Sequence, residues 1–332
     1  MEDADNRYVA PGCTLCREGA KLVLFVTGRC DRGCWYCPLS AERKGADRVW
    51  ANDREVVDDD DLLAEARAMS ALGTGVTGGD PLVALDRVVH YCRLLRAAFG
   101  PGHHVHLYTG RAPTDDELRP LVGLVDELRL HPPHDDWHRI LETPYPDAIR
   151  RARAHGFAIG VEVPSLPGLE GLLPLLPLVD FLNVNELEWG ESSADAMRAR
   201  GLELAEQHGN AVVGAREWAR PLLGHEKVRY CSSSFKDAVQ LRERMIRIAV
   251  NTARPFDEVT GDGTVVYGRL SSDDIGGAVA ALELGDGEYA VVDGAVELGW
   301  ERLAAARTAI EGEKAIVERY PNRGMLVEVI PL

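Results

Sequence analysis

The chain has 332 residues, of which 45% are apolar and 27% charged, a globular balance that excludes a disordered, fibrous or membrane-spanning protein. Its 53 acidic against 37 basic residues give a formal net charge of -16, which opposes unassisted attraction to phosphate backbones or anionic membranes while leaving room for a local basic cleft. Seven cysteines, an odd number, in a chain whose start (MEDADNRYVAPG) has no basic residues leading into an apolar run, predict a cytoplasmic protein whose thiols serve metal, catalysis or burial rather than a disulfide framework.

A Cys13-x2-Cys16 pair comes first. Residues 21–27, Lys-Leu-Val-Leu-Phe-Val-Thr, predict a buried strand, after which Gly28 and Gly33 punctuate a loop carrying Cys30-x3-Cys34-x2-Cys37. These three thiols therefore sit at the carboxyl end of a strand, the edge where α/β sheets form ligand sites. Three thiolates on one short loop can hold three irons of a cubane cluster and leave the fourth open to a small molecule. A structural zinc would need a fourth ligand that the loop does not offer.

Residues 58–72 predict a helix with Leu62, Leu63, Ala66 and Met69 on one face, and a short strand from residue 73 runs into the turn Gly78-Gly79-Asp80. Further helices are predicted at 85–99, 115–122, 146–155 and 194–208, with a helical start near 167–171, and strands at 103–109, 127–130, 157–163, 181–185 and 211–214. Repeated units of this length imply a parallel α/β sheet, and their number favours a partial or full (β/α) barrel. No Gly-x-Gly-x-x-Gly follows the first strand to support a doubly wound alternative. Cys92 shares a helical face with Val88, Val89 and Leu95 and belongs to the core, while His131, His134 and His138 read as a solvated loop or a polar rim facing the site.

Residues 236–253 predict a helix whose Arg242, Arg244 and Arg247 pair with neighbouring acids, and Pro255 marks a boundary. Beyond it, strands at 264–270, 288–292, 314–319 and 325–330 and a helix at 297–310 predict a small α+β appendage with no catalytic motif. The expected organisation is an N-terminal segment 1–17 with the CxxC pair, a (β/α) unit 18–254 and an appendage 255–332.

Cys30-Asp-Arg-Gly-Cys34-Trp-Tyr-Cys37, with an aromatic residue, Tyr36, just before the last cysteine, resembles the signature of the radical S-adenosylmethionine (radical SAM) enzymes. The resemblance implies a [4Fe-4S] cluster on Cys30, Cys34 and Cys37 whose open iron chelates S-adenosylmethionine. It also implies reductive cleavage of that cofactor to methionine and a 5'-deoxyadenosyl radical, an electron donor such as ferredoxin or flavodoxin, and a (β/α) core. Gly78-Gly79-Asp80 is similar to the family's Gly-Gly-Glu-like strand end, which meets the methionine ammonium; Asp80 keeps the charge but reaches about one methylene less. Gly156-Phe-Ala-Ile159-Gly160-Val-Glu162 resembles the strand that packs the adenine, with the glutamate one position early. Asn183 and Asn185, polar in an apolar strand, and the following Glu186 are candidate cofactor contacts, a helix cap being the alternative.

Were the barrel to close, Cys13 and Cys16 would approach Cys231 and His225, which predicts a second metal site, zinc or iron–sulfur; buried thiols are the alternative. More narrowly, the segments 13–21, 37–40 and 230–237 resemble archaeal proteins described as related to pyruvate formate-lyase activating enzyme. Only Lys21, Lys44, Lys227, Lys236 and Lys314 are lysines among the 37 basic residues, a usage found in salt-loving archaea and equally produced by GC-rich coding. Two other functions stay open at this point: a radical SAM enzyme acting on tRNA or other RNA, which the charge disfavours, and a non-catalytic iron–sulfur or zinc scaffold.

Overall fold

The computed structural model describes residues 9–206 and 209–332. They divide into two units, one running to Arg67 and from Ala71 to Gln240, the other taking Ala68–Ser70 and Leu241–Leu332.

In the first unit, α1 (Pro11–Arg17), with proline in its first turn where a missing N–H costs nothing, precedes β1 (Lys21–Phe25). β2 (Trp50–Ala51) and β3 (Arg54–Glu55) form an antiparallel extension of β1; strands of two residues carry no period to read from sequence. The alternation follows: α2 (Asp59–Ala68), β4 (Gly73–Thr77), α3 (Leu85–Phe99), β5 (His104–Thr109), α4 (Asp115–Leu118), β6 (Glu127–Leu130), α5 (Tyr145–Ala154), β7 (Ala158–Pro164), β8 (Phe181–Asn185), α6 (Ala194–Arg198), α7 (Ala215–Ala219), β9 (Val228–Cys231) and a short α8 (Ser233–Phe235). Two expectations fail. The helix expected at 194–208 ends at Arg198, because Gly201 adopts the left-handed conformation (φ 68°); Gln207 and His208 lie outside the described residues. Residues 211–214 form no strand: Ala211 and Val212 make isolated bridges to Glu188 and Leu204, and α7 begins at Ala215.

The sheet order is β3-β2-β1-β4-β5-β6-β7-β8-β9, parallel from β1 onward. β1 and β9 do not pair, so the sheet is open and the closed barrel allowed by the sequence is not formed. It curls nonetheless. α1 is about 10 Å long, yet it packs on β1, β4 and β5, and its Cys13 reaches Arg129 of β6 and Asn183 of β8. In a flat sheet β1 and β8 would stand about 24 Å apart at about 4.8 Å per strand, so the strands must wrap round the helix. Gly12 allows the approach, since a Cβ there would lie 2.6 Å from Arg129 Nη2.

Strand alternation then separates two faces. Leu22, Leu24, Val105, Leu107, Leu128 and Leu130 are buried on one, an apolar core shared with the inward faces of α2, α3 and α5. The face toward α1 is polar, with Lys21, His106, Glu127, Arg129, Glu162 and Asn183 all buried. Burial lowers Lys21 to about 8 and His104 to about 4, and Lys21 Nζ lies 2.7 Å from His104 Nδ1.

The stretch expected as one helix at 236–253 is a π-helical turn, Lys236–Leu241, followed by α9 (Arg242–Thr252). In the second unit α9 is followed by β10 (Glu258–Val259), β11 (Val265–Ser271), α10 (Ile275–Ala281), β12 (Tyr289–Val292), β13 (Ala295–Leu298), α11 (Trp300–Ala305), β14 (Glu313–Arg319) and β15 (Leu326–Pro331). The antiparallel sheet runs β12-β13-β11-β14-β15, with β10 on β11. Leu270, Val296 and Leu298 of the sheet pack with Ala278, Leu282 and Leu303 of α10, its C-terminal end and α11. The helix expected at 297–310 is therefore corrected: its first residues are strand β13, and Gly299 separates them from the shorter α11. The division after Gln240, ahead of the expected 254, reflects packing of α9 in this unit, where Arg242 Nε donates to the Gly261 carbonyl at 2.9 Å. Among the described residues no helix is long and apolar enough to cross a membrane.

Candidate functional site

The loop after β1 is pinned on both flanks by backbone bonds. Gly28 N donates to Ala46 O at 2.7 Å on one side; Gly79 N donates to Thr27 O at 2.7 Å and Asp80 N to Arg29 O at 2.8 Å on the other. The second pair extends the β1–β4 ladder past the strand ends, and this close approach requires glycine: a Cβ on Gly79 would stand 2.6 Å from the Gly28 carbonyl oxygen. Gly79→Ala is thus expected to displace the loop and lower stability by about 1–3 kcal/mol, the range for overpacking, measurable by urea unfolding.

Held this way, Cys30, Cys34 and Cys37 line one cavity of ≈ 510 Å³, with Cys30 exposed and the other two half-buried. Burial raises the Cys30 and Cys34 thiols and Cys37 raises both further, while a hydrogen bond from Tyr36 acts in the opposite direction on Cys34. The opposite walls are residues 77–81 after β4, Thr109 and Gly110 after β5, His131 after β6, Glu162 to Pro164 of β7, and Asn185 to Glu188 after β8, with Lys236. All but Lys236 stand at carboxyl ends of parallel strands, the edge at which the sequence placed the site.

Asp80 lines this cavity but its carboxylate is already engaged. Oδ1 accepts from Leu82 N at 3.0 Å, Oδ2 from Gly110 N at 2.9 Å, and both oxygens from Thr109 Oγ1 at 2.9 and 3.0 Å. Burial raises its pKa against these donors. The residue caps the 3-10 turn Pro81–Ala84 and fastens the end of β4 to that of β5.

Glu162, Asn183 and Asn185 come together as a hydrogen-bonded group. The β7–β8 register sets Glu162 opposite Asn183 and Pro164 opposite Asn185. Asn183 Nδ2 donates to Glu162 Oε2 at 2.8 Å and Asn185 Nδ2 to Oε1 at 2.9 Å. Asn185 and Glu162 face the cavity; Asn183 does not line it. Beneath them Arg129, 2% exposed, donates to Glu162 Oε2 at 2.7 Å, Glu127 Oε1 at 2.5 Å and Tyr108 Oη at 3.0 Å. Burial alone would raise Glu162, but the Arg129 guanidinium, the two asparagine amides and Lys236 hold it below the usual carboxylate range.

Sequence reasoning missed several wall residues. Lys236, expected at the start of a regular helix, pairs with Glu188 at 2.8 Å, and the π-helical turn that begins there is a distortion frequent at functional sites. Of the histidines expected on a solvated loop or a polar rim facing the site, His131 lines the cavity, His134 Nε2 donates to the Pro167 carbonyl oxygen at 2.8 Å, and His138 is exposed. Glu186, in contrast, is spent on Tyr230 Oη and Ser233 N.

The second metal site is not assembled. Cys13 Sγ accepts from Arg129 Nη2 at 3.4 Å and Asn183 Nδ2 at 3.3 Å, and Cys16 is pushed up to about 11 by burial. Cys231 Sγ accepts from Gln240 Nε2 at 3.8 Å, and His225 is exposed before the opposite end of β9. Among the described residues no three His, Cys, Asp or Glu side chains converge to hold a metal ion. Cys13 lies near enough to Cys16 and Cys231 to raise both thiols, whereas His225 stands apart. Cys92 is buried in α3 as expected, its thiol pushed up to about 12.

Residues 24–169 match the radical SAM superfamily, and residues 263–332 match a domain of unknown function. A Methanocaldococcus jannaschii protein provisionally named a glycyl-radical enzyme activating enzyme is 33% identical over 351 aligned positions, covering 97% of this chain and 92% of that one. Among solved structures, Streptococcus suis SuiB bound to S-adenosylmethionine is 12% identical with a TM-score of 0.42, covering 64% of this chain and 50% of that chain. The radical S-adenosylmethionine methyltransferase TsrM from Kitasatospora setae is 12% identical with a TM-score of 0.42, covering 68% and 60%. The chain spans about half the length of these solved structures. With the cysteine loop, the glycine turn and a relative aligned over nearly its whole length, the chain belongs to the radical SAM superfamily of enzymes.

Proposed function

We propose that Cys30, Cys34 and Cys37 hold a [4Fe-4S] cluster and that S-adenosylmethionine binds beside it, between residues 78–80 and the Glu162–Asn185 wall. The observation that carries this reading is the opening of all three thiols onto the same ≈ 510 Å³ cavity as both walls, a volume within the range of small-molecule sites. The donor set fits the group. Its thiols do not converge on a single ion, and a cubane needs each on a different iron. When bound, the cluster supplies the electron that cleaves the cofactor reductively.

The chain's own residues then bind and orient. Because the Asp80 carboxylate is occupied by Thr109, Leu82 and Gly110, it acts by fixing the wall, and the backbone of Gly78 and Gly79 meets the methionine end. Glu162, kept ionised by Arg129, orients the Asn185 amide at the cavity wall, and Asn183 supports both from below. The substrate is a polypeptide segment, supported by the name of the M. jannaschii relative, and the reductant is an external one-electron carrier such as ferredoxin or flavodoxin. The test is anaerobic reconstitution with iron and sulfide, then dithionite and S-adenosylmethionine, with 5'-deoxyadenosine measured by chromatography. A fully loaded protein that releases none sinks the reading.

A further inference from the structure

The sheet of the second unit has two unlike faces. Alternation along β11 sends Leu270 to the face packed by α10 and α11, and Val265, Tyr267 and Arg269 to the other. Register adds Arg319 of β14 opposite Val265, and Glu297 of β13 opposite Arg269. On this second face lies a cavity of ≈ 340 Å³, bounded also by residues 252–257 at the end of α9 and by Asn322 and Arg323 between β14 and β15.

The charges that line it are unequally engaged. Arg254 is saturated: it donates to the two Asp257 oxygens at 2.8 and 3.0 Å and to Glu297 Oε2, and both acids have side chains only 4% exposed. Arg269 Nη1 stands 3.9 Å from Glu297 Oε1, too far for a hydrogen bond. Arg319 and Arg323 have no carboxylate partner among the described residues. Arg319 is held by backbone instead, Nε and Nη2 donating to the Gly324 carbonyl at 3.1 and 2.7 Å and Nη2 to the Arg323 carbonyl at 3.1 Å. Its Nη1 donates to Tyr267 Oη at 3.4 Å, so the Tyr267 hydroxyl, accepting there, keeps its own proton to give. The turn that supplies the two carbonyls is strained, with Asn322 and Arg323 both left-handed at φ 53° and 58°. Strain of this kind clusters at ligand clamps.

We infer that this cavity binds the phosphate monoester of a small hydroxylated molecule. One guanidinium satisfies both oxygens of a carboxylate. Three guanidiniums without a hydrogen-bonded acid, together with a phenol, match instead the three terminal oxygens and the near-double charge of a phosphate monoester. A phosphodiester offers only two such oxygens and a single charge. The volume exceeds that of a phosphate group and lies at the small end of ligand sites. Asp293, exposed on the wall, would repel a second phosphate and suits a hydroxyl. The site uses no residue of the cysteine-loop cavity and is independent of the function proposed above.

The test is calorimetric titration of the full chain at low ionic strength with glycerol 3-phosphate and glucose 6-phosphate, set against inorganic phosphate, sulfate and dimethyl phosphate. At least one ester is expected to bind more tightly than inorganic phosphate, and dimethyl phosphate not to bind. Arg269→Gln and Arg323→Gln should each weaken ester binding about tenfold, the scale of one hydrogen bond to a charged group. Their urea midpoints should match wild type, because neither side chain is hydrogen-bonded within the described residues. A merely structural role would move the midpoint and not the affinity. Sulfate binding as tightly as the esters would mean an adventitious ion only and overturns the inference. So does the absence of ester binding, dimethyl phosphate binding as well as the monoesters, or an affinity that neither substitution changes.

Discussion

Cys34→Ala is expected to abolish reductive cleavage of S-adenosylmethionine. Cys34 stands in the middle of the loop, lining the cavity with Cys30 and Cys37, and no other thiol lines that cavity. Two thiols leave two irons without protein ligands, so iron and sulfide content should fall and 5'-deoxyadenosine formation should drop by far more than the roughly tenfold reached when only an outer-shell partner is removed. Cys92→Ala is the control, because that thiol is buried in α3 away from the cavity and its loss costs packing only. Cys13→Ala should leave iron and sulfide per chain unchanged, since its sulfur is bonded to Arg129 and Asn183 rather than to a metal set. A Cys34→Ala protein that keeps both cluster and cleavage would refute the assignment.

Arg129→Met is expected to be the most destabilising single change. The arginine is buried between Glu127 and Glu162 and stacks over the rings of Tyr108 and Phe181. Removing one partner from a buried ion pair leaves uncompensated charge and costs about 3–5 kcal/mol. The pH dependence carries a sign that separates this cause from lost packing. In the wild type Glu162 lies below its ordinary 4.5, so its contribution is fully present above pH 4.5 and is lost as pH falls through the folded value. In the variant, burial acts without the arginine and raises Glu162 above 4.5, so stability falls as pH rises through the new folded value. The penalty measured by urea unfolding should therefore be smaller at pH 5 than at pH 7. An equal loss at both values would mean that packing accounts for the effect, and Glu162→Gln in the Arg129→Met background should recover part of the loss in the first case only.

Much of the fold was legible because it is local. Leu85–Phe99, Glu127–Leu130 and Phe181–Asn185 have the bounds that their periodicity predicts. Asn183 and Asn185 stand out in the sequence as polar residues in an apolar strand and Glu162 through the resemblance of its strand, but the β7–β8 register is what brings the three together. What stayed hidden depends on distant partners. Barrel closure is a pairing of β1 with β9, which no local pattern encodes. The polar inner face was signalled in Glu127 and Arg129, two charges on one side of a buried strand, but their meaning emerges only when α1 is laid against them. Lys236 escaped because a period of 3.6 describes a regular helix and not a π-helical turn.

The insertion of α1 into the curl of the sheet has a consequence in time. Cys13 finds Asn183 170 residues further along the chain. During synthesis at about 5–20 residues per second, the helix is made first and its last partners follow after roughly ten to thirty seconds. Through that interval the CxxC pair stands uncovered. The earliest part of the chain is thus among the last to be enclosed, which makes it a place for chaperone capture and for adventitious thiol oxidation before the fold is complete.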